Sequence, residues 1–192
     1  MSKIRSIGII AEDNSDFESV KVLIKKIISK EKITFKKAVG NGCGKLRRKA
    51  CSYTTDLKNR GCDLIILFHD LDRNDFQKLK QELEISLNKV SAVKKFICIP
   101  VEELEAWFLS DPEGIKNALN LYKAPKVKKQ PETIIAPKEV LGDFIYSCSN
   151  KEKIYINTKH NEKISEHVSI DLMRQKCPSF NSLCEFLSSH RY

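Results

Sequence analysis

Acidic residues recur in this sequence directly after short apolar runs. Glu12 follows residues 3–11, Asp70 and Asp72 follow residues 63–68, and Glu102 and Glu105 follow residues 95–99. If each run is a strand of one parallel sheet, three strand ends deliver carboxylates to the edge where such sheets bind ligands. Like charges gathered there repel one another, and a divalent cation with oxygen ligands relieves that repulsion. In extended chain alternate residues face the same side, so Asp70 and Asp72 reach one ion while Leu71 turns inward. Mg2+, or Mn2+ in its place, takes one or two carboxylates and keeps its other positions for water and phosphate oxygens. An ion held this way can activate water and neutralise charge on an in-line phosphoryl transition state.

The neighbouring residues each carry a plainer reading. On a helix, Glu102 and Glu105 lie three apart and share a face, so they serve a second ion or its surroundings, or simply begin a solvated helix. Glu103 then points elsewhere, and Leu104 and Trp107 pack inward. Asp13 and Asp16 read as helix-start residues, and His69 as a buried strand-end histidine before it reads as a base. Lys138 and Lys159 are candidates for stabilising charge on a transferring phosphoryl group, against the default of an exposed lysine.

The chain carries 34 Lys and Arg against 25 Asp and Glu, a formal charge of +9, which favours polyanion partners. Gly40 to Lys45 misses the P-loop pattern, because its spacing is one short and Leu46 stands where Ser or Thr would bind Mg2+. A glycine-rich turn opening a helix still presents backbone N–H groups to a phosphate. Lys45, Arg47, Arg48 and Lys49 follow it and read as nucleic-acid backbone contacts; Lys123, Lys126, Lys128 and Lys129 form a second strip or a solvated linker.

The elements that must position these residues alternate. Strands are expected at 3–11, 32–39, 63–68 and 95–99, with helices at 16–30, 45–59, 76–90 and 101–109. The unbroken Leu64 to Phe68 run is that of a central strand covered on both faces. This gives an α/β fold with a mostly parallel four-stranded sheet flanked by helices over 1–111. Residues 112–192 read as a helical appendage packed on that core, with helices at 136–147, 164–176 and 179–188. Cys43, Cys51, Cys62, Cys98, Cys148, Cys177 and Cys184 show no clustered spacing and read as reduced, mostly buried thiols. No apolar run approaches a bilayer span and no signal-peptide pattern opens the sequence, so a cytoplasmic protein without membrane contact is expected.

Glu12 after the first strand and Asp70-Leu71-Asp72 after the third resemble the Toprim signature of topoisomerases, primases and OLD-type nucleases. Asp13 stands where a Gly is usual in that signature. More specific segments resemble DUF4276, a family of small bacterial Toprim-like proteins: Glu12 through Glu18, residues 100–111 (PVEELEAWFLSD), 131–141 (PETIIAPKEVL) and 178–187 (PSFNSLCEFL). The resemblance implies a Toprim-like core whose Glu12, Asp70 and Asp72 are metal and catalytic carboxylates. It also implies an ATPase encoded nearby and an effector nuclease role in bacterial defence. The alternative is a non-catalytic scaffold that binds the ATPase or a nucleic acid. A phosphatase or nucleotidyl-transfer reaction on a small substrate is a further alternative. DNA against RNA, one metal against two, and self-association stay open.

Overall fold

The computed structural model describes residues 3–29 and 32–192. Four strands, β1 (Ser6–Ala11), β2 (Thr34–Val39), β3 (Leu64–Phe68) and β4 (Lys94–Cys98), form one sheet in the order β2-β1-β3-β4, and every pairing is parallel. The two inner strands are the most apolar segments and are buried throughout, as strands covered on both faces must be. Helices α1 (Asn14–Ile28), α2 (Cys43–Asn59) and α3 (Phe76–Asn88) make the crossovers. The predicted first helix extended to Lys30, which lies outside the described residues.

Side-chain alternation divides the core in two. Ile7, Ile9 and Ala11 of β1 and Leu64, Ile66 and Phe68 of β3 face α1, in the same cluster as Ile164, Met173, Phe180 and Leu187 from the C-terminal half. Ile10, Ile65 and Leu67 face the other way, onto Leu46, Ala50 and Leu57 of α2 and Leu79 and Leu83 of α3. Residues after 111 therefore complete the α1 face of the sheet. The last described segment also reaches the residues just before β1, where Arg191 O accepts the Ile4 N–H at 2.8 Å.

After β4 comes the short α4 (Glu105–Phe108), and the residues after 111 contain α5 (Pro112–Leu119), a 3-10 turn at Pro131–Thr133, α6 (Pro137–Cys148), α7 (Asn157–His167), α8 (Ile170–Lys176) and α9 (Pro178–Ser188). The predicted helix over 164–176 is broken. Val168 is extended and Ser169 starts α8, its N–H donating to Asp111 Oδ2 at 2.8 Å. The same Asp111 caps α5 through the Gly114 N–H, with Pro112 at the first helical position. No predicted element covered α5. Trp107 is fully buried, edge-on to Phe68 and Phe180, with its indole N–H donating to Ser179 Oγ at 2.8 Å. Among the described residues, no helix is long and apolar enough to cross a membrane.

Candidate metal centre

The alternation that splits the core also splits the acids beyond it. Glu12 is next in register after Ala11 and falls on the α2 side, where Ile10 points. The chain then turns: Ala11 O and Glu12 O accept the N–H groups of Gly40 and Asn41 at 2.9 and 2.8 Å, which ties the ends of β1 and β2 together. Gly40 permits a close approach, since a Cβ there would lie 2.7 Å from Leu46 Cβ. Gly42 opens α2 at φ +113°, a conformation that favours glycine. These two glycines set Cys43, the first residue of α2, against the acids.

Cys43 Sγ lies 2.5 Å from Glu12 Oε2 and 3.1 Å from Asp72 Oδ2. One ligand atom from each of Glu12, Cys43 and Asp72 falls within 4.8 Å of the others. Burial, then the hydrogen bonds to Glu12 and Asp72, push the Cys43 thiol far above its usual range. The thiol is therefore a proton donor lying between two carboxylates.

Asp70 does not join that group. The expected sharing of one ion by Asp70 and Asp72 rested on extended chain, but β3 ends at Phe68, and Asp72 and Arg73 adopt φ +48° and +59°. That left-handed turn sends the two side chains to different neighbours. Asp70 Oδ1 accepts the Leu104 N–H at 3.1 Å. Its carboxyl is held well above the usual range by burial first, then by the charges of Asp16, Glu105, Asp72 and Glu103. Asp16 is only 9% exposed, and burial with the charges of Asp13, Glu105 and Glu12 pushes its pKa up to about 8. Asp13 is the helix cap that its type predicts, accepting the Asp16 N–H at 3.0 Å. Asp16, read as a helix-start residue, is instead a buried member of this second group.

Glu105 is 4% exposed, and its Oε1 accepts from Tyr155 Oη at 2.6 Å and from Asn161 Nδ2 at 3.1 Å. Glu102 is not on a helix with it. Helix α4 begins at Glu105, while Glu102 sits in the preceding loop at φ +60° and pairs with Arg73 at 3.9 Å. Glu103, expected to point away, is the residue whose charge reaches Asp70 and Glu105. Its Oε2 accepts the Lys138 backbone N–H at 3.0 Å at the start of α6, a favourable place for a carboxylate. Lys138 thus borders the acidic edge, and Lys159 is exposed on α7.

His69 is 1% exposed, with Nδ1 2.5 Å from Asp70 O and no partner for Nε2. Because a carbonyl only accepts, Nδ1 carries the proton and the neutral ring leaves Nε2 as an acceptor. Burial lowers its pKa. Of the basic segment opening α2, Arg48 and Lys49 are exposed and Lys45 is half-buried. Arg47 lies 4.0 Å from Glu82 and is close enough to His69 to disfavour its protonation.

An oxygen-rich pair with a thiol, backed by buried carboxylates that hold protons when no cation is present, fits a divalent ion chemically. Glu12, Cys43 and Asp72 would hold one ion, and Asp16, Asp70 and Glu105 stand behind it. Sequence reading did not find Asp16, Cys43, Glu103, Tyr155 or Asn161 as part of this edge. The glycine-rich turn after β2 was the available signal for Cys43; Tyr155 and Asn161 have none nearby.

No curated protein and no solved structure matches the chain. A family model described as "Domain of unknown function (DUF4276)" matches residues 11–188. That span runs from the last residue of β1 to the end of α9, with Glu12, Cys43, Asp70, Asp72, Glu103 and Glu105 inside it, and the chain therefore belongs to the DUF4276 family.

Proposed function

We propose that this protein is a metal-dependent phosphodiesterase acting on nucleic acid, with a Toprim-like core and Mg2+ or Mn2+ as its ion, serving as the nuclease effector of a bacterial defence system beside an ATPase. The observation that carries the reading is the meeting of Glu12, Cys43 and Asp72, from three separate strand ends, at ligand spacing. A divalent cation would relieve the repulsion between the two carboxylates gathered there.

A bound divalent ion would supply charge neutralisation at the scissile phosphate and a more acidic water. The chain's own groups do the rest. Glu12 and Asp72 hold and orient the ion, while Asp70 and Asp16 give up protons as it binds. Tyr155 and Asn161 fix the Glu105 carboxylate. Lys138 places a cation at the rim beside Glu103. Lys45, Arg47, Arg48 and Lys49 lie on the first turns of α2, the helix whose first residue is Cys43.

The test is cleavage of labelled DNA and RNA by purified protein with Mg2+ or Mn2+. Asp72→Asn and Asp70→Ala should each abolish it while circular dichroism stays native; undiminished cleavage in either refutes that residue's assignment. One observation favours the scaffold alternative: the Cys43 thiol already bridges Glu12 and Asp72 without an ion. A calorimetric titration that detects no divalent-ion binding, with tight association to the neighbouring ATPase, would establish that alternative.

A further inference from the structure

The open edge of the sheet beside β2 carries a groove of about 420 Å3 whose lining includes Lys21, Lys25, Lys36, Lys37 and Arg60, with Glu18 its one carboxylate among the described residues. We infer that this groove is the track for a nucleic-acid backbone, which runs along β2 toward the Glu12–Cys43–Asp72 site. It is separate from the basic start of α2.

Three features support this. The first is the source of the cations. Lysines on an edge strand also discourage a further strand from pairing, and Lys36 and Lys37 alone would serve that purpose. Lys21 and Lys25 come from α1, one helical turn apart on its exposed flank, and add nothing to edge protection. The second is their freedom. Lys21 is taken by Glu18, Lys36 by the Arg60 carbonyl, and Arg60 by Asp56. Lys25 and Lys37 are exposed and form no ion pair among the described residues; each holds its ammonium 5.8 Å from a ring centroid, Phe35 and Phe17 respectively. Ordered cations not consumed by carboxylates suit a phosphate chain. The third is continuity. Lys37 Nζ bonds Asn14 Oδ1 at 3.0 Å, so a lysine of the groove reaches the first residue of α1, two residues after Glu12. A backbone laid past Lys25 and Lys37 arrives at the acids.

The inference deepens the phosphodiesterase reading, but it is tested without cleavage. Binding of the full chain to labelled single-stranded oligonucleotides, DNA and RNA in separate arms, is measured by fluorescence anisotropy in EDTA at several salt concentrations. Lys25→Glu with Lys37→Glu should weaken binding at least about tenfold. Two lost phosphate contacts at about 0.7 each should also flatten the log–log salt slope by about 1.4. Should the charge reversal unfold the chain, Lys25→Gln with Lys37→Gln gives the same reading in smaller measure. Unchanged affinity and slope in the folded variants overturn the inference. So does displacement of the oligonucleotide by polyglutamate at equal charge concentration, which would make the groove a site for acidic protein. Binding by a wild-type chain that cleaves neither DNA nor RNA leaves the track standing without the phosphodiesterase reading, and a wild-type chain that neither binds nor cleaves removes both.

Discussion

Two groups of carboxylates stand on opposite sides of one sheet edge, and they are built differently. On the α2 side, Glu12 and Asp72 meet around a thiol, with Asp72 exposed to solvent. On the α1 side, Asp16 and Glu105 are almost fully covered, Asp70 is charge-coupled to both, and Tyr155 and Asn161 from the far half of the chain close the cluster. The exposed group can exchange an ion and admit a phosphate. The buried group is closed to such exchange, but burial favours the protonated forms of Asp16 and Asp70, and a nearby cation would displace those protons. Strand alternation in β1 puts Glu12 on the α2 side, and the left-handed turn at Asp72 and Arg73 parts Asp72 from Asp70.

The comparison breaks most sharply if the two groups respond alike to ligand removal. Glu12→Gln with Asp72→Asn should lower divalent-ion affinity about 100-fold or more, by calorimetry, and leave thermal stability unchanged or raised, since it deletes like charges. On the buried side, Tyr155→Phe removes the hydroxyl that donates to Glu105 and leaves a covered carboxylate short of a partner. It should destabilise the fold by about 1–3 kcal/mol in urea unfolding and shift ion affinity far less. If Tyr155→Phe instead destroys ion binding at native stability, the buried group is the primary site and the assignment reverses.

A third expectation concerns pH. Asp16 has its pKa raised from 3.8 to about 8, chiefly by burial. A raised carboxyl pKa favours the folded state fully below about pH 4, where both states are protonated, and that contribution is lost as pH rises through about 8. Without an ion, the unfolding temperature should therefore fall between pH 5 and pH 8.5. A saturating divalent ion should restore more stability at pH 8 than at pH 6, because fewer protons remain to be expelled. Asp16→Asn should flatten the ion-free trend. A wild-type protein whose melting temperature is level across that window would show that Asp16 is not shielded as described.

Much of the fold was legible because it rests on apolar runs. Leu64 to Phe68 reads as a covered strand whatever surrounds it, and the four strands and three crossover helices follow from such runs and from Asp13, Gly42 and Asp75 at helix starts. The site was legible only in its outline. Asp16 occupies a first-turn position that looks like any helix start, and its burial comes from packing that the local sequence does not announce. Asp70-Leu71-Asp72 looks like extended chain, and only the left-handed turn at Asp72 and Arg73, tied by the Asp72 N–H to Glu102 O, separates its acids. Val168 and Ser169 carry no Gly or Pro to announce the break between α7 and α8. The Ser169 N–H goes to Asp111, a partner 58 residues away.

Cys43 offers the smallest effect and the finest discrimination between the two sides. Its single S–H lies within reach of both Glu12 and Asp72 and donates to one at a time, so in the ion-free protein it sits between two carboxylates without a cation. A hard ion such as Mg2+ prefers oxygen and gains little from sulfur, whereas a borderline ion such as Zn2+ gains a thiolate by displacing the proton. Cys43→Ser keeps a donor of similar size between the acids. It should leave Mg2+-supported cleavage within about threefold of wild type and weaken Zn2+ binding by about tenfold or more, read by competition with a chromogenic chelator. If both ions lose affinity equally, the thiol is a ligand for either, and the exposed group is a three-ligand centre. If neither changes, sulfur takes no part, and the carboxylates alone hold the ion on the α2 side.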